Sequence, residues 1–394
     1  MKYQTMIAGV LSALSLFSLT GCNLLNSDAV EAPVEAPPFV SLEDVARLFA
    51  ALPLETGHVE EVYDAATASA ANGYDEEYRM QDLFAAPGTG VGDDGSTKAG
   101  KYARPLRELL REAALSTKAS ADGGVEKAEA WLDSLSMSDV QIYWPFSESW
   151  NGDALPVITY DPGDGALSNE GYVLRSDGSV QKILVDEKMA SERPVWVMNR
   201  NSDADYKSLE MRRREDPSWG SGGGDIVVKA DADAGEQDFQ TLILRSFQAN
   251  RQFDSWFSGA SEFFVKMGSI EDFRASTEAE LRLYQPTITD FMIVVRRSQL
   301  GTAVPFNAIL VSEWTDALDS CAFMIIEDDG GTRTSWKASA TVKYNSKSYG
   351  IDMDIPLNTR DDIVWRGSLS HSFIEKYNGE PCNFGDVTLV LELI

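Results

Sequence analysis

The sequence predicts an α+β fold with an N-terminal helical domain, a small β domain and a C-terminal antiparallel β-sandwich. Three observations point there. Apolar residues recur every three or four positions from Ser41 to about Ser136. Around Ile142 the pattern changes to short β-type runs separated by turn residues such as Asp161-Pro162-Gly163 and Asp177-Gly178. Beyond a glycine-rich stretch, about ten strand-like segments follow with few helical ones, which is how a sandwich reads.

In chain order, Lys2 and an apolar run from Met6 to Leu19 lead into Leu19-Thr20-Gly21-Cys22. The run is about 14 residues, shorter than the ~20 needed to span a bilayer, and it suits a secretory leader. The small residues before Cys22 resemble the lipobox of bacterial lipoproteins. The resemblance implies removal of residues 1–21 and acylation of Cys22 with palmitate-type chains. Two or three such chains anchor a protein stably where one does not. Asn23, not Asp, follows the cysteine, and by the Gram-negative sorting pattern this implies the outer membrane. Asp28, Glu31 and Glu35 match a surface-export signal only loosely, so the periplasmic and surface faces both stay open. Residues 22–40 mix Pro, Ala and Glu without an apolar period and read as an extended tether.

The helical domain is expected over 41–137. Ser41 and Asp44 have capping-box spacing before Val45, Leu48, Phe49 and Leu52, and Pro53 stops that helix. Residues 59–85 read as one or two helices broken near Asn72-Gly73. Pro105 opens another helix, with Leu106, Leu109, Leu110, Ala113 and Ala114 on one face. Val125, Ala128, Leu132 and Leu135 repeat the spacing. The small β domain is expected over 138–216, with strands at 157–160, 171–175, 181–185 and 195–199. Residues 217–224, Pro-Ser-Trp-Gly-Ser-Gly-Gly-Gly, form the linker. The sandwich is expected over 225–394, starting with a strand at 226–230. Asp329-Gly330 and Asn345-Ser346 are read as hairpin turns joining three consecutive strands.

Composition excludes more than it selects. The chain has 394 residues, with 34 Lys+Arg against 62 Asp+Glu and a net charge of −28. That balance argues against nucleic acid, whose phosphates are bound by clustered Lys and Arg, and against attraction to anionic lipid. Two histidines, His58 and His371, and three cysteines leave little for zinc or Ser-His-Asp chemistry. Gly95 to Tyr102 nearly matches a phosphate-binding loop. Tyr102 stands where a Mg²⁺-binding hydroxyl belongs, and no strand feeds the loop, so it is read as a plain loop. Arg212-Arg213-Arg214 is enclosed by Glu210, Glu215 and Asp216 and is read as a self-neutralised turn.

The candidate sites are few. Glu327, Asp328 and Asp329 close one strand, and Asp361 and Asp362 open another. Hard Ca²⁺ takes six to eight oxygens from such loops, and a sandwich of C2-like architecture can gather loops at one end. These five are the candidate calcium ligands, the other reading being solvated turns. Cys321 and Cys382 form an even pair suited to a disulfide in an oxidising compartment. Trp144, Trp150 and Trp219 are candidate ligand aromatics, offering faces to sugar rings, with domain-interface packing as the other reading.

The phrases YWPFSESW (143–150), PVWVMNR (194–200), FMIIEDDGG (323–331) and DDIVWRG (361–367) resemble a group of uncharacterised lipoproteins of Bacteroidetes-type bacteria. The resemblance runs over most of the mature chain, is strongest over 240–394, and brings no activity with it. It implies an exported lipoprotein with a β-rich C-terminal module. The expected function is therefore that of a lipid-anchored envelope protein, a non-catalytic binding or scaffolding module stabilised by calcium, with an envelope protein or glycan as partner. The alternative is an envelope hydrolase using paired carboxylates in the manner of a glycosidase, for which sequence alone nominates no catalytic residue.

Overall fold

Ser41 accepts a hydrogen bond from the Asp44 N–H and caps α1 (Leu42–Ala50), whose Val45, Ala46 and Phe49 are fully buried. The helix α2 (Thr56–Ala71) opens with the His58 Nδ1 accepting the Glu55 N–H at 3.0 Å. It ends at Asn72-Gly73 as expected. Gly73 has a φ of +80°, a backbone conformation that a residue with a Cβ rarely adopts. A short strand β1 (Glu77–Arg79) and helices α3 (Met80–Phe84), α4 (Leu106–Ser120) and α5 (Gly124–Ser136) complete this stretch.

This computed structural model describes residues 40–85, 102–120, 124–163, 165–175, 177–203, 206–216 and 239–394. The leader with its lipobox, Cys22, the tether up to residue 39, the loop at 88–100, the linker with Trp219 and the strand expected at 226–230 lie outside the described residues. Among the described residues no helix is long and apolar enough to cross a membrane.

The next stretch contributes β2 (Val140–Tyr143), β3 (Val157–Tyr160), β4 (Ser168–Leu174), β5 (Val180–Asp186), α6 (Glu187–Glu192), β6 (Val195–Arg200) and α7 (Leu209–Glu215). One six-stranded sheet runs β1-β2-β6-β3-β4-β5, with β3 and β6 parallel and the other pairs antiparallel. Its first face is covered by helices. Phe49, Leu106, Leu110 and Leu132 share a core with Ile142, Trp144, Trp196 and Met198. The helical segment and the small β segment therefore hold one core between them, and β1 crosses from the first to edge the sheet of the second. The other face presents Tyr143, Val157, Val185, Val195 and Val197 to Trp256 and Phe257, which belong to the C-terminal stretch.

That stretch is built from β7 (Gln240–Ala249), β8 (Ser261–Ser269), α8 (Glu278–Leu281), β9 (Thr287–Val295), β10 (Val304–Trp314), β11 (Leu318–Glu327) and β12 (Arg333–Tyr344). It continues with β13 (Lys347–Asn358), β14 (Asp362–Ser370), α9 (His371–Lys376), β15 (Pro381–Phe384) and β16 (Val387–Leu393). Two antiparallel sheets, β10-β7-β16-β15 and β13-β12-β11-β8-β9 with β14 also on β11, line one large core. This is the sandwich-like half of the α+β fold.

The turn at Asn345-Ser346 is a tight hairpin. Tyr344 pairs with Lys347, and both turn residues have positive φ (47° and 61°). The turn at Asp329-Gly330 behaves differently. The strand β12 pairs with β11 only at Leu318 and Ser320, while β14 runs beside β11 from Ser320 to Glu327. Insertion of β14 sets Asp362 opposite Glu327 in register.

Candidate functional site

The five acidic residues singled out in the sequence are brought together. Asn358 links the two runs, its amide donating to Asp328 at 3.2 Å and its N–H to Asp361 at 2.6 Å. Asp328 also accepts the Gly330 N–H at 3.0 Å, closing a local turn. Asp329 and Asp362 are exposed, and Asp328 and Asp361 half-buried. Glu327 is fully buried. Burial and the neighbouring Asp254 and Asp362 push the Asp329 carboxyl up to about 6. Four of the five thus belong to a hydrogen-bonded turn at the sandwich end, and Glu327 alone points inward.

Inside, Glu327 meets acids that the sequence did not suggest. Among the described residues, the carboxyl oxygens of Asp254, Glu262 and Glu327 form the one group close enough to share a metal ion, all within 4.8 Å of one another. Asp254 lies on the loop between β7 and β8, Glu262 on β8, and Glu327 at the end of β11. The Asp328 N–H donates to the Glu262 carbonyl at 3.0 Å, locking the two strand ends together. Neither Glu327 oxygen has a hydrogen-bond partner. Its nearest polar neighbour is the Asp254 carboxyl, and two carboxyls in contact have no donor between them unless one keeps a proton. Burial foremost, and then Asp254, hold Glu327 far above the usual carboxylate range. Burial likewise raises Glu262, with Asp254, Asp203 and Asp75 adding to it.

A second acidic group sits where the first sheet meets the sandwich. Asp75 Oδ2 accepts the Ala260 N–H at 2.8 Å and Oδ1 accepts the Glu76 N–H at 2.7 Å. Burial still lifts Asp75 to about 6. Glu76, with no exposed surface, takes both the Ser147 N–H (3.0 Å) and the Ser147 hydroxyl (2.8 Å) on Oε1. Burial, then contact with the Glu148 carboxyl, pushes Glu76 up to about 9. Burial alone would raise Glu148 too, but the Glu76 carboxyl and Ser298 bond to it and hold it below its ordinary value. Glu77 and Asp203 share the Asn201 amide at 2.9 and 2.8 Å, and burial raises both. Arg297 is the buried cation of this seam, donating to the Gly259 and Asp254 carbonyls and lying 3.6 Å from Glu187.

The sequence carried one overlooked signal for these acids. The strand β8, Ser-Glu-Phe-Phe-Val-Lys-Met-Gly-Ser, is buried along its whole length, so its charges at Glu262 and Lys266 require partners. Lys266 has one in Asp290 at 3.0 Å. The run Asp75-Glu76-Glu77 gives no such sign, because three acids in a row read as surface.

The remaining candidates are placed plainly. Trp144 is 1% exposed and packs against Tyr63, Trp150 and Trp196 with centroids 5.6–6.0 Å apart, so its ring presents no open face to a ligand. Trp150 is half-buried, its indole N–H donating to the Ala154 carbonyl. The disulfide expected between Cys321 and Cys382 is not made: both are free thiols. Cys321 is buried on β11, Cys382 stands on β15 of the opposite sheet, and burial raises both thiols. The arginine run is not a turn but helix α7, where Arg213 donates to the Phe306 and Asn307 carbonyls. His371 stacks on Trp314 at 5.7 Å, and the Tyr102 phenol donates to Asp64.

Two small clefts are formed among the described residues. One, of about 110 Å³, is lined by Asp203, Tyr206, Glu262 and Asp328 among others; the second, of about 130 Å³, by Trp144, Phe146 and Trp150 among others. Sites for organic ligands run from ~300 Å³ upward, so neither cleft admits a sugar ring as it stands. Comparisons of the chain with family models, with curated proteins and with solved structures give no match.

Proposed function

We propose that the chain is a lipid-anchored protein of the cell envelope, held in the outer membrane through acyl chains on Cys22, and that its folded part is a non-catalytic binding or scaffolding module. The observation behind the second half is the geometry of its buried carboxyls. A glycosidase holds its two carboxylates about 5–10 Å apart across a sugar. Here Glu76 with Glu148, and Glu327 with Asp254, touch directly, with no room for a sugar between the members of either pair. Acids so placed organise the fold and leave nothing between them to cleave.

The anchoring half rests on the lipobox and on a net charge of −28, which gives the protein no electrostatic hold on anionic lipid. Detergent phase partitioning tests it. Expressed in a Gram-negative host, the full chain should enter the detergent phase and carry acyl mass on Cys22, and Cys22→Ser should not. Equal partitioning of the two forms overturns the anchor. Hydrolysis of an envelope polysaccharide that disappears in Glu76→Gln or Glu327→Gln overturns the non-catalytic reading.

A further inference from the structure

We infer that Asp254, Glu262 and Glu327 form a binding site for one hard divalent cation of calcium size, at the end of the sandwich where β8 and β11 meet. The inference goes beyond the envelope function above and does not depend on it.

Three features of the molecule point to the ion. The first is the donor set, carboxylate oxygen throughout, which suits Ca²⁺ or Mg²⁺ and neither zinc nor copper. The second is the spacing. Oxygens within 4.8 Å of one another can all touch one ion at the 2.3–2.6 Å of a Ca–O bond, which spans up to about 5.2 Å.

The third feature is independent of the clustering. Glu327 has no exposed surface, and neither of its carboxyl oxygens makes a hydrogen bond of good geometry, the Ser261 hydroxyl and the Asp254 carboxyl being its polar neighbours. Buried carboxylates without donors are costly, and a fold keeps them where something else fills the place. A shared proton between Glu327 and Asp254 supplies one donor. It leaves the second Glu327 oxygen without a partner and does nothing for Glu262. Arg297 turns its guanidinium to the Asp254 and Gly259 carbonyls, not to these carboxyls.

Three carboxylates supply three to six of the six or more oxygens that Ca²⁺ takes, and backbone carbonyls or waters complete such shells. The other four acids read from the sequence sit just outside, with Glu327 as the link between the two groups.

The test uses the full chain in detergent, stripped with EDTA and dialysed, with CaCl2 and MgCl2 as probes. Calorimetric titration should find one Ca²⁺ per chain, and 1 mM CaCl2 should raise Tm by about 5 °C, with a smaller rise from MgCl2. Glu262→Gln and Glu327→Gln, both folded by circular dichroism, should bind Ca²⁺ at least tenfold more weakly and lose the rise. Asp329→Asn, an exposed neighbour, should keep both. A wild-type Tm unmoved by 1 mM CaCl2 overturns the site, as does wild-type affinity in Glu327→Gln. An equal response to MgCl2 overturns the size argument.

Discussion

Two of the carboxyl contacts among the described residues, Glu76 with Glu148 and Glu327 with Asp254, differ in how their oxygens are supplied with donors. In the first, Glu76 meets Glu148. Glu76 already has two donors on one oxygen, from the Ser147 backbone and hydroxyl, and Glu148 reaches the surface where water can hold its charge. One proton on the remaining Glu76 oxygen completes the pair. In the second, Glu327 meets Asp254 with Glu262 beside them, and neither Glu327 oxygen makes a hydrogen bond of good geometry. The proposed cation would supply what that set lacks.

The pH dependence of stability is the largest expected consequence of the first pair. Glu76 keeps its proton up to about 9 in the fold, whereas an unfolded Glu releases it near 4.5. Between those values the folded state holds more protons, so stability must fall as pH rises. The contribution is present in full below pH 4.5 and gone above 9. The slope is at most about 1.4 kcal/mol per pH unit, or about 4 kcal/mol from pH 5 to 8. Urea unfolding at pH 5, 6, 7 and 8 should show this fall, and Glu76→Gln should flatten it. An unchanged slope in the variant would mean that Glu76 does not hold the proton.

Removing the acceptor is a separate and somewhat smaller injury. Glu76→Ala strands the Ser147 N–H and hydroxyl in a site with no exposed surface and leaves a cavity, for a loss of about 3 kcal/mol at pH 5. Denaturant midpoints give the number. A loss under about 0.5 kcal/mol would show that water reaches Ser147 and that the pair is not sealed.

How far the sequence reveals these arrangements depends on how local their causes are. The strand at 157–160, the hairpin at Asn345-Ser346 and the cap at Ser41 follow from nearby residues alone, and the structure holds them as expected. The Asp329-Gly330 turn joins the antiparallel neighbours β11 and β12, but they pair only at Leu318 and Ser320, because β14, more than thirty residues along, lies beside β11 up to Glu327. Neighbouring residues do not encode that competition. The acidic seam is harder still. Asp75, Glu76, Asp254 and Glu262 become buried because two separately patterned stretches dock, and each looks solvated within its own stretch. Glu262 is the exception, since a charge beside the apolar run Phe263-Phe264-Val265 suggests a buried strand whose charges need partners. Glu327 was singled out with four neighbours for their shared charge, when its distinguishing property is that it alone turns inward.

The smallest expected effect is at Glu327. Glu327→Gln removes a carboxyl that makes no hydrogen bond of good geometry and replaces it with a neutral amide that can donate to Asp254. Burial keeps the Glu327 carboxyl protonated in the metal-free fold, whereas an unfolded Glu is ionised at pH 7, and the amide removes the cost of holding that proton. In EDTA at pH 7 the variant should therefore be about 2 kcal/mol more stable than the wild type, read as a higher denaturant midpoint with an unchanged m-value. Glu76→Ala loses stability, and Glu327→Gln gains it. If Glu327→Gln instead costs as much as Glu76→Ala, Glu327 is held by bonds equivalent to those of Ser147, and the two pairs are the same device. If it gains stability in EDTA and loses that advantage in CaCl2, the wild-type carboxyl is kept at the expense of the metal-free fold, for the sake of what it binds.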